Sequence, residues 1–144
     1  MNKLKIRSKN LIEQRKGLRK KFSRLIEIKP GDMTASSMDE QFMERLMTVF
    51  EEHISESGYT TEHFAKDVGF SKTHLNRKLK ALTELPTHGF ILSLRLKRAA
   101  QLLKKKTATV SEIAYSVGFE NPSKFARAFR NHYGKSPSDF SSEY

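Results

Sequence analysis

The tripeptide Val-Gly-Phe occurs twice, at 68–70 and at 117–119, and its surroundings repeat with it. Ahead of each copy lies a short run with paired apolar residues, Phe64 and Ala65 in the first case, Ile113 and Ala114 in the second. Behind each comes a basic stretch whose apolar residues recur every fourth position: Leu75 and Leu79, then Phe125 and Phe129. A glycine that takes positive φ at the end of one short helix lets the chain turn within three or four residues into another. The copies are offset by 49 at the glycine and by 50 inside the second helix, so one residue is inserted between these anchors. A chain built on this unit twice is predicted to be all-α.

Capping chemistry marks the other helices. Ser37 with Glu40 has capping-box spacing, and Phe42, Met43, Leu46, Met47, Phe50 and Ile54 follow as a helical stripe, predicting a helix from about Met38 to Ser57. Thr60 and Ser71 precede the two short helices of the first unit, and Thr109 with Glu112 forms a second box. Asn121 with Pro122, and Ser136 with Pro137, place a cap and a first-turn proline at two later helix starts. Between the units, "GFILSLRLKRAAQLLKKK" contains no internal breaker and predicts one long connecting helix over about 87–106. About nineteen residues at ~1.5 Å each span roughly 28 Å, comparable with the ~34 Å turn of B-DNA.

The expected organisation is a basic helical linker over 1–37 and a tandem helix-turn-helix module over 38–144, with the first unit at about 60–82 and the second at about 109–134. In the linker Leu4, Leu11, Leu18 and Leu25 fall at every seventh residue, but Ser8 and Arg15 weaken the alternate seam positions and Gly17 interrupts it. A helix docking on a neighbouring domain fits that pattern better than a free-standing zipper. "KPGDMTASS" then reads as a connector.

The chain's 144 residues carry a formal net charge of +11, which favours a polyanionic partner. That charge is divided: residues 1–32 are net +8, 33–69 net −6 and 70–144 net +9. With no cysteine, disulfides, thiolate nucleophiles and Cys-ligated zinc are excluded. His53, His63, His74, His88 and His132 never fall at the close helical spacing of a metal pair, and no phosphate-cradling glycine loop or nucleophile elbow occurs. The expectation is a cytoplasmic binding module with no catalytic residues, no metal and no cofactor; no apolar run has signal-peptide or membrane length, so no membrane contact is expected.

Each second helix leaves a polar, cationic face opposite its apolar stripe. In the first it holds Lys72, Thr73, Asn76, Arg77 and Lys80; in the second Ser123, Lys124, Ala126, Arg127, Arg130 and Asn131. Neither face contains an acid. Arginine pairs bidentately with guanine and asparagine with adenine, while lysine and serine hold phosphate, so both faces suit double-stranded DNA. Arg77 and Arg127 occupy equivalent places and are the leading base readers. Ser71, Lys72, Lys80, Asn121, Arg130 and Asn131 are expected on phosphates.

The stretches "FAKDVGFSKTHLNRKLKALT", "LRLKRAAQLL" and "TVSEIAYSVGFENPSKFARAFRNHYGKSPSDF" resemble the DNA-binding domain of AraC/XylS-type regulators, over about Met38 to Tyr144. The resemblance implies seven helices, with two helix-turn-helix units joined by a long helix, and transcription regulation in a bacterium with RNA polymerase as a partner. It implies that the helices from Lys72 to Leu82 and from Pro122 to Tyr133 are recognition helices. Thr73, Asn76, Arg77, Ser123, Lys124 and Arg127 match positions where the family touches bases. Two departures stand out: Glu84 and Thr87 occupy the places of Gly134 and Pro137, which predicts a less regular exit from the first recognition helix, and Pro122 and Ala126 reduce what the second can read.

"KNLIEQRKGLRKKFS" further resembles the segment joining a receiver domain to this module in response regulators and hybrid two-component sensors. That implies an upstream receiver or sensor domain in the full-length protein. A ligand-sensing regulator of the same family and a nonspecific nucleic-acid-binding module are the alternatives.

Overall fold

The structure, a computed structural model, describes residues 37–144. The leucine repeat and the connector after it lie outside the described residues. Seven helices follow one another: α1 (Ser37–His53), α2 (Thr61–Asp67), α3 (Lys72–Thr83), α4 (Thr87–Lys105), α5 (Val110–Ser116), α6 (Pro122–Tyr133) and α7 (Pro137–Ser142). No strand occurs among the described residues. They divide into two compact units, one made of the described residues up to Val49 with Thr61–Phe90, the other of Phe50–Thr60 with Ile91–Tyr144.

In the first unit α2 packs on α3. Phe42, Met43 and Leu46 of α1, Phe64 and Ala65 of α2, and Leu75, Leu79 and Leu82 of α3 are all buried, as their spacing requires. Phe42 meets Phe70 edge to face at 5.4 Å, and Lys78 lies over the Phe42 ring while its ammonium sits 3.8 Å from Asp39. Lys78 is thereby turned away from the polar face of α3.

In the second unit a single apolar cluster joins Leu96, Ala99, Ala100 and Leu103 of α4 to Ile113, Ala114 and Val117 beneath the turn and to Phe125 and Phe129 of α6. An aromatic chain extends it. Phe119 meets Phe125 at 5.3 Å, Phe129 meets Tyr133 at 4.6 Å, and Phe140 of α7 packs edge to face on Phe129 at 5.3 Å. The hydroxyl of Ser141 donates to the Leu103 carbonyl at 3.1 Å, fastening α7 to α4.

Both turns are built by the same hydrogen bonds. Gly69 N–H donates to Lys66 O (3.1 Å) and Phe70 N–H to Ala65 O (2.9 Å); Gly118 N–H donates to Tyr115 O (3.1 Å) and Phe119 N–H to Ala114 O (3.0 Å). This is the Schellman closure, and its left-handed residue has φ +84° at Gly69 and +94° at Gly118.

The two glycines nevertheless differ. A Cβ at Gly69 would meet nothing within 4 Å, whereas one at Gly118 would collide with the Arg95 guanidinium and the Ile54 carbonyl. Arg95 is 6% exposed. Its Nη1 donates to Ile54 O and, at 2.7 Å, to Val117 O; Nη2 reaches Glu56 O at 3.3 Å, and the group lies over the Phe50 ring. Burial pulls its pKa down, with the Glu56 carboxylate opposing. Three carbonyl acceptors therefore replace the hydration of a buried cation. α1 stops at His53 rather than near Ser57: Glu56 N–H turns back to His53 O at 2.9 Å, a tighter turn in place of the helical bond, and the carbonyls of Ile54 and Glu56 beyond it bond to Arg95.

Two further expectations are corrected. Ser37 is already helical, so it is not the cap that its spacing from Glu40 suggests. The exit of α3 is also as regular as that of α6. Glu84 adopts φ +65° and donates to Lys80 O at 2.9 Å, just as Gly134, at φ +81°, donates to Arg130 O at 2.8 Å. Thr83, fully buried, braces this corner: its hydroxyl donates to Leu79 O at 2.8 Å and accepts from Leu85 N–H at 3.1 Å.

A side chain in the left-handed region costs roughly 1–2 kcal/mol, so Glu84→Gly should stabilise the protein by about 1 kcal/mol, seen as a higher urea midpoint. Gly69→Ala should cost about 1 kcal/mol from φ alone. Gly118→Ala must also displace the buried guanidinium and should cost at least about 3 kcal/mol. Equal losses for the two alanine variants would show that Arg95 does not constrain the second turn.

Candidate nucleic-acid interface

The start of each candidate recognition helix is fixed by its own cap. Ser71 Oγ accepts from His74 N–H at 3.1 Å, and Asn121 Oδ1 accepts from Lys124 N–H at 2.8 Å, with Pro122 following in the first turn. The two side chains expected to hold phosphate at these positions are therefore engaged in capping. Ser71 retains its hydroxyl proton and Asn121 its amide NH2 for a further bond.

From these caps the helical period turns the rest of each face outward. Thr73, Asn76 and Arg77 on α3 are exposed, with Lys72 and Lys80 beside them; Ser123, Lys124 and Arg127 on α6 are exposed, with Arg130 and Asn131 beyond. The buried stripes Leu75–Leu79 and Phe125–Phe129 lie opposite. Ala126 is half-buried, so α6 has a shallower polar face than α3 at the equivalent position.

Electrostatics distinguish these helices from most of their neighbours. α1, α2, α5 and α7 each carry an acid in the first turn, where it complements the positive end of the helix dipole, but α3 and α6 carry none and place Lys72 and Lys124 there. Two helix N-termini left without a carboxylate, and made more positive by lysine, suit an external anion. One local acid intervenes: Glu120, the inserted residue, pairs with Lys124 at 3.2 Å. The pair is exposed, and a pair of this kind contributes little, so a phosphate or base edge can replace it.

Asn76 has a structural engagement as well as an exposed position. Its Oδ1 accepts from Thr87 N–H at 2.9 Å, with Thr87 Oγ1 at 3.4 Å, which ties α3 to the first residue of α4. The sequence signal was present in Pro86, which cannot supply a capping side chain to α4. Arg95 was the larger omission, since its place four residues after Ile91 and four before Ala99 puts it on the buried face of α4. Among the described residues no group of three or more His, Asp or Glu is placed to hold a metal, and no helix is long and apolar enough to cross a membrane.

Known proteins share this arrangement. Histidine kinase P4 of Formosa agariphila is 35% identical over all 144 residues, which amount to 10% of its own length. An AraC-type transcriptional regulator structure from Chromobacterium violaceum aligns with a TM-score of 0.67 and 26% identity, covering 75% of this chain and 96% of that one. The DNA-binding domain of AdpA, a global transcriptional factor solved in complex with a target DNA, aligns with a TM-score of 0.64 and 25% identity over 72% of this chain and 91% of that one. The chain thus spans a small part of the curated relative that it matches along its whole length. A family model described as a helix-turn-helix domain matches residues 64–143, from the buried Phe64 of the first turn to the end of α7. With that match over more than half of the chain and both turns closed by the same bonds, the chain belongs to the AraC-type helix-turn-helix family.

Proposed function

We propose that this domain binds double-stranded DNA sequence-specifically and regulates transcription, with α3 and α6 as its recognition helices. The observation that carries the reading is the duplicated acid-free face, set each time behind a Schellman turn and a capped, positively charged helix start. The DNA-bound AdpA domain supports the choice of ligand, and the Chromobacterium violaceum regulator supports the choice of process.

Within that reading Thr73, Arg77, Ser123, Lys124 and Arg127 contact bases, Arg77 and Arg127 supplying the bidentate pairs to guanine. Asn76 offers its amide NH2. Lys72, Lys80, Arg130 and Asn131 meet phosphates, with the helix starts at Ser71 and Asn121 adding backbone N–H groups. We further propose that residues 38–144 form the DNA-binding module and 1–37 its connection to an upstream receiver or sensor domain. The identity to Histidine kinase P4, which extends through residues 1–36 as well, supports an output role in two-component signalling. RNA polymerase is the partner such a regulator would meet at a promoter, and the working compartment is the cytoplasm.

Selection of duplexes from a random pool by the 144-residue chain tests the proposal; recovery of no enriched sequence would refute it in favour of nonspecific binding. On a selected site, Arg77→Ala or Arg127→Ala should each cost about 1–3 kcal/mol and relax base preference locally. Lys80→Ala and Arg130→Ala should weaken all duplexes alike and flatten the salt dependence, lowering the slope magnitude by roughly one each in fluorescence-anisotropy titrations.

A further inference from the structure

We infer that Asn76, although it lies on the reading face of α3, is a positioning residue: its amide oxygen caps the start of α4, and α3 therefore does not read adenine bidentately there. The inference rests on the proposed DNA-reading role of α3. The acceptor's identity needs no assumption about amide orientation, because the Thr87 backbone N–H can only donate, so the oxygen of Asn76 must face it.

The two copies of the unit explain why the cap comes from so far away. At an offset of 50, Pro86 corresponds to Ser136 and Asn76 to Ala126. The backbones agree with this alignment: Phe90 N–H donates to Pro86 O and Phe140 N–H to Ser136 O, both at 2.9 Å. In the second copy Ser136 Oγ caps α7 by accepting from Asp139 N–H at 3.1 Å. In the first copy Pro86 has no side-chain acceptor, and Thr87, only 3% exposed, stands where the second copy has Pro137 and presents an N–H that the helix itself cannot satisfy. Asn76 satisfies it. The copy with a capping serine carries alanine on its recognition helix, and the copy without one carries asparagine.

The consequence for recognition is chemical. Adenine offers N7 as acceptor and N6–H as donor in the major groove, so a bidentate asparagine needs both its NH2 and its oxygen. The Asn76 oxygen has two lone pairs, and Thr87 faces it with both its N–H, at 2.9 Å, and its hydroxyl, at 3.4 Å, so the NH2 is what remains, and a donor alone favours the two acceptors of guanine, O6 and N7. An α3 that used this oxygen on adenine would have to give up one of its two bonds to Thr87.

The test uses the 144-residue chain. Loss of a capping side chain corresponds to a factor of about five in a local equilibrium, so Asn76→Ala should speed hydrogen exchange of the Thr87 amide about fivefold or more and lower the urea midpoint. Asn76→Asp keeps an acceptor oxygen and should retain the protection. Adding Pro86→Ser and Thr87→Pro to Asn76→Ala transplants the arrangement of the second copy, a capping serine before a proline that has no N–H, and should recover the midpoint. On selected DNA, the base pair whose preference Asn76→Ala relaxes should be guanine in the wild-type site. Unchanged Thr87 exchange in Asn76→Ala overturns the cap, and adenine preference at that base pair overturns its consequence for reading. A chain with no sequence preference at all would refute the DNA-reading proposal, while the exchange and midpoint measurements would still decide the role of Asn76.

Discussion

Two backbone hydrogen bonds and one positive φ decide where α3 and α6 each point. The amides of Gly69 and Phe70 close α2, those of Gly118 and Phe119 close α5, and the chain leaves each closure already aimed into the following cap. Nothing beyond the turn can correct an error there, because Leu75 and Phe125, the first buried residues after it, enter their cores only if the helix starts at the right place. Packing and polar display are consequently one problem. The same helical phase that buries Leu79 exposes Asn76 and Arg77, and that which buries Phe129 exposes Arg127 and Arg130.

That coupling accounts for what was legible in the sequence. Turn glycines, local caps and four-residue apolar spacing are short-range signals, so α2, α3, α5, α6 and α7 and their outward faces could be read directly. What escaped was long-range. α1 ends at His53, and the Ile54 carbonyl just beyond it accepts from Arg95, 41 residues away, which no local feature of Ile54 announces. Glu84 was read as a departure from the glycine at its equivalent position, yet the turn forms regardless, because the bonds at Thr83 and Glu84 outweigh the cost of one strained φ. Asn76 was read from its neighbours as a base reader, while its oxygen is claimed from eleven residues away.

Capping and reading compete for the same atoms throughout this surface. Ser71, Asn121 and Asn76 each place an acceptor oxygen on a backbone N–H, while the hydroxyl proton or amide NH2 of each stays available as a donor. Donors are what phosphates and guanine require, so the competition biases the surface toward those partners at no loss of helix stability. Arginine and lysine, which carry donors alone, reinforce the same bias. The absence of acids from α3 and α6 is thus one aspect of a wider arrangement in which acceptors are turned inward.

The copies have reached that arrangement by different means, and the difference bears on which is the more tolerant reader. In the second, the cap of α7 is local to Ser136, the exit is a glycine, and the stripe of α6 is aromatic, packed on Phe140 as well as on α4. No exposed residue of α6 is needed to hold that corner together. In the first, the exit is strained at Glu84 and the cap is drawn from Asn76 on the reading face itself. Changes on the polar face of α6 can therefore proceed without loosening its exit, whereas a change at Asn76 alters the polar face of α3 and the start of α4 together. Variation on the polar face has more freedom on α6, and α3 is constrained to keep an acceptor at 76 for as long as 87 presents a buried N–H.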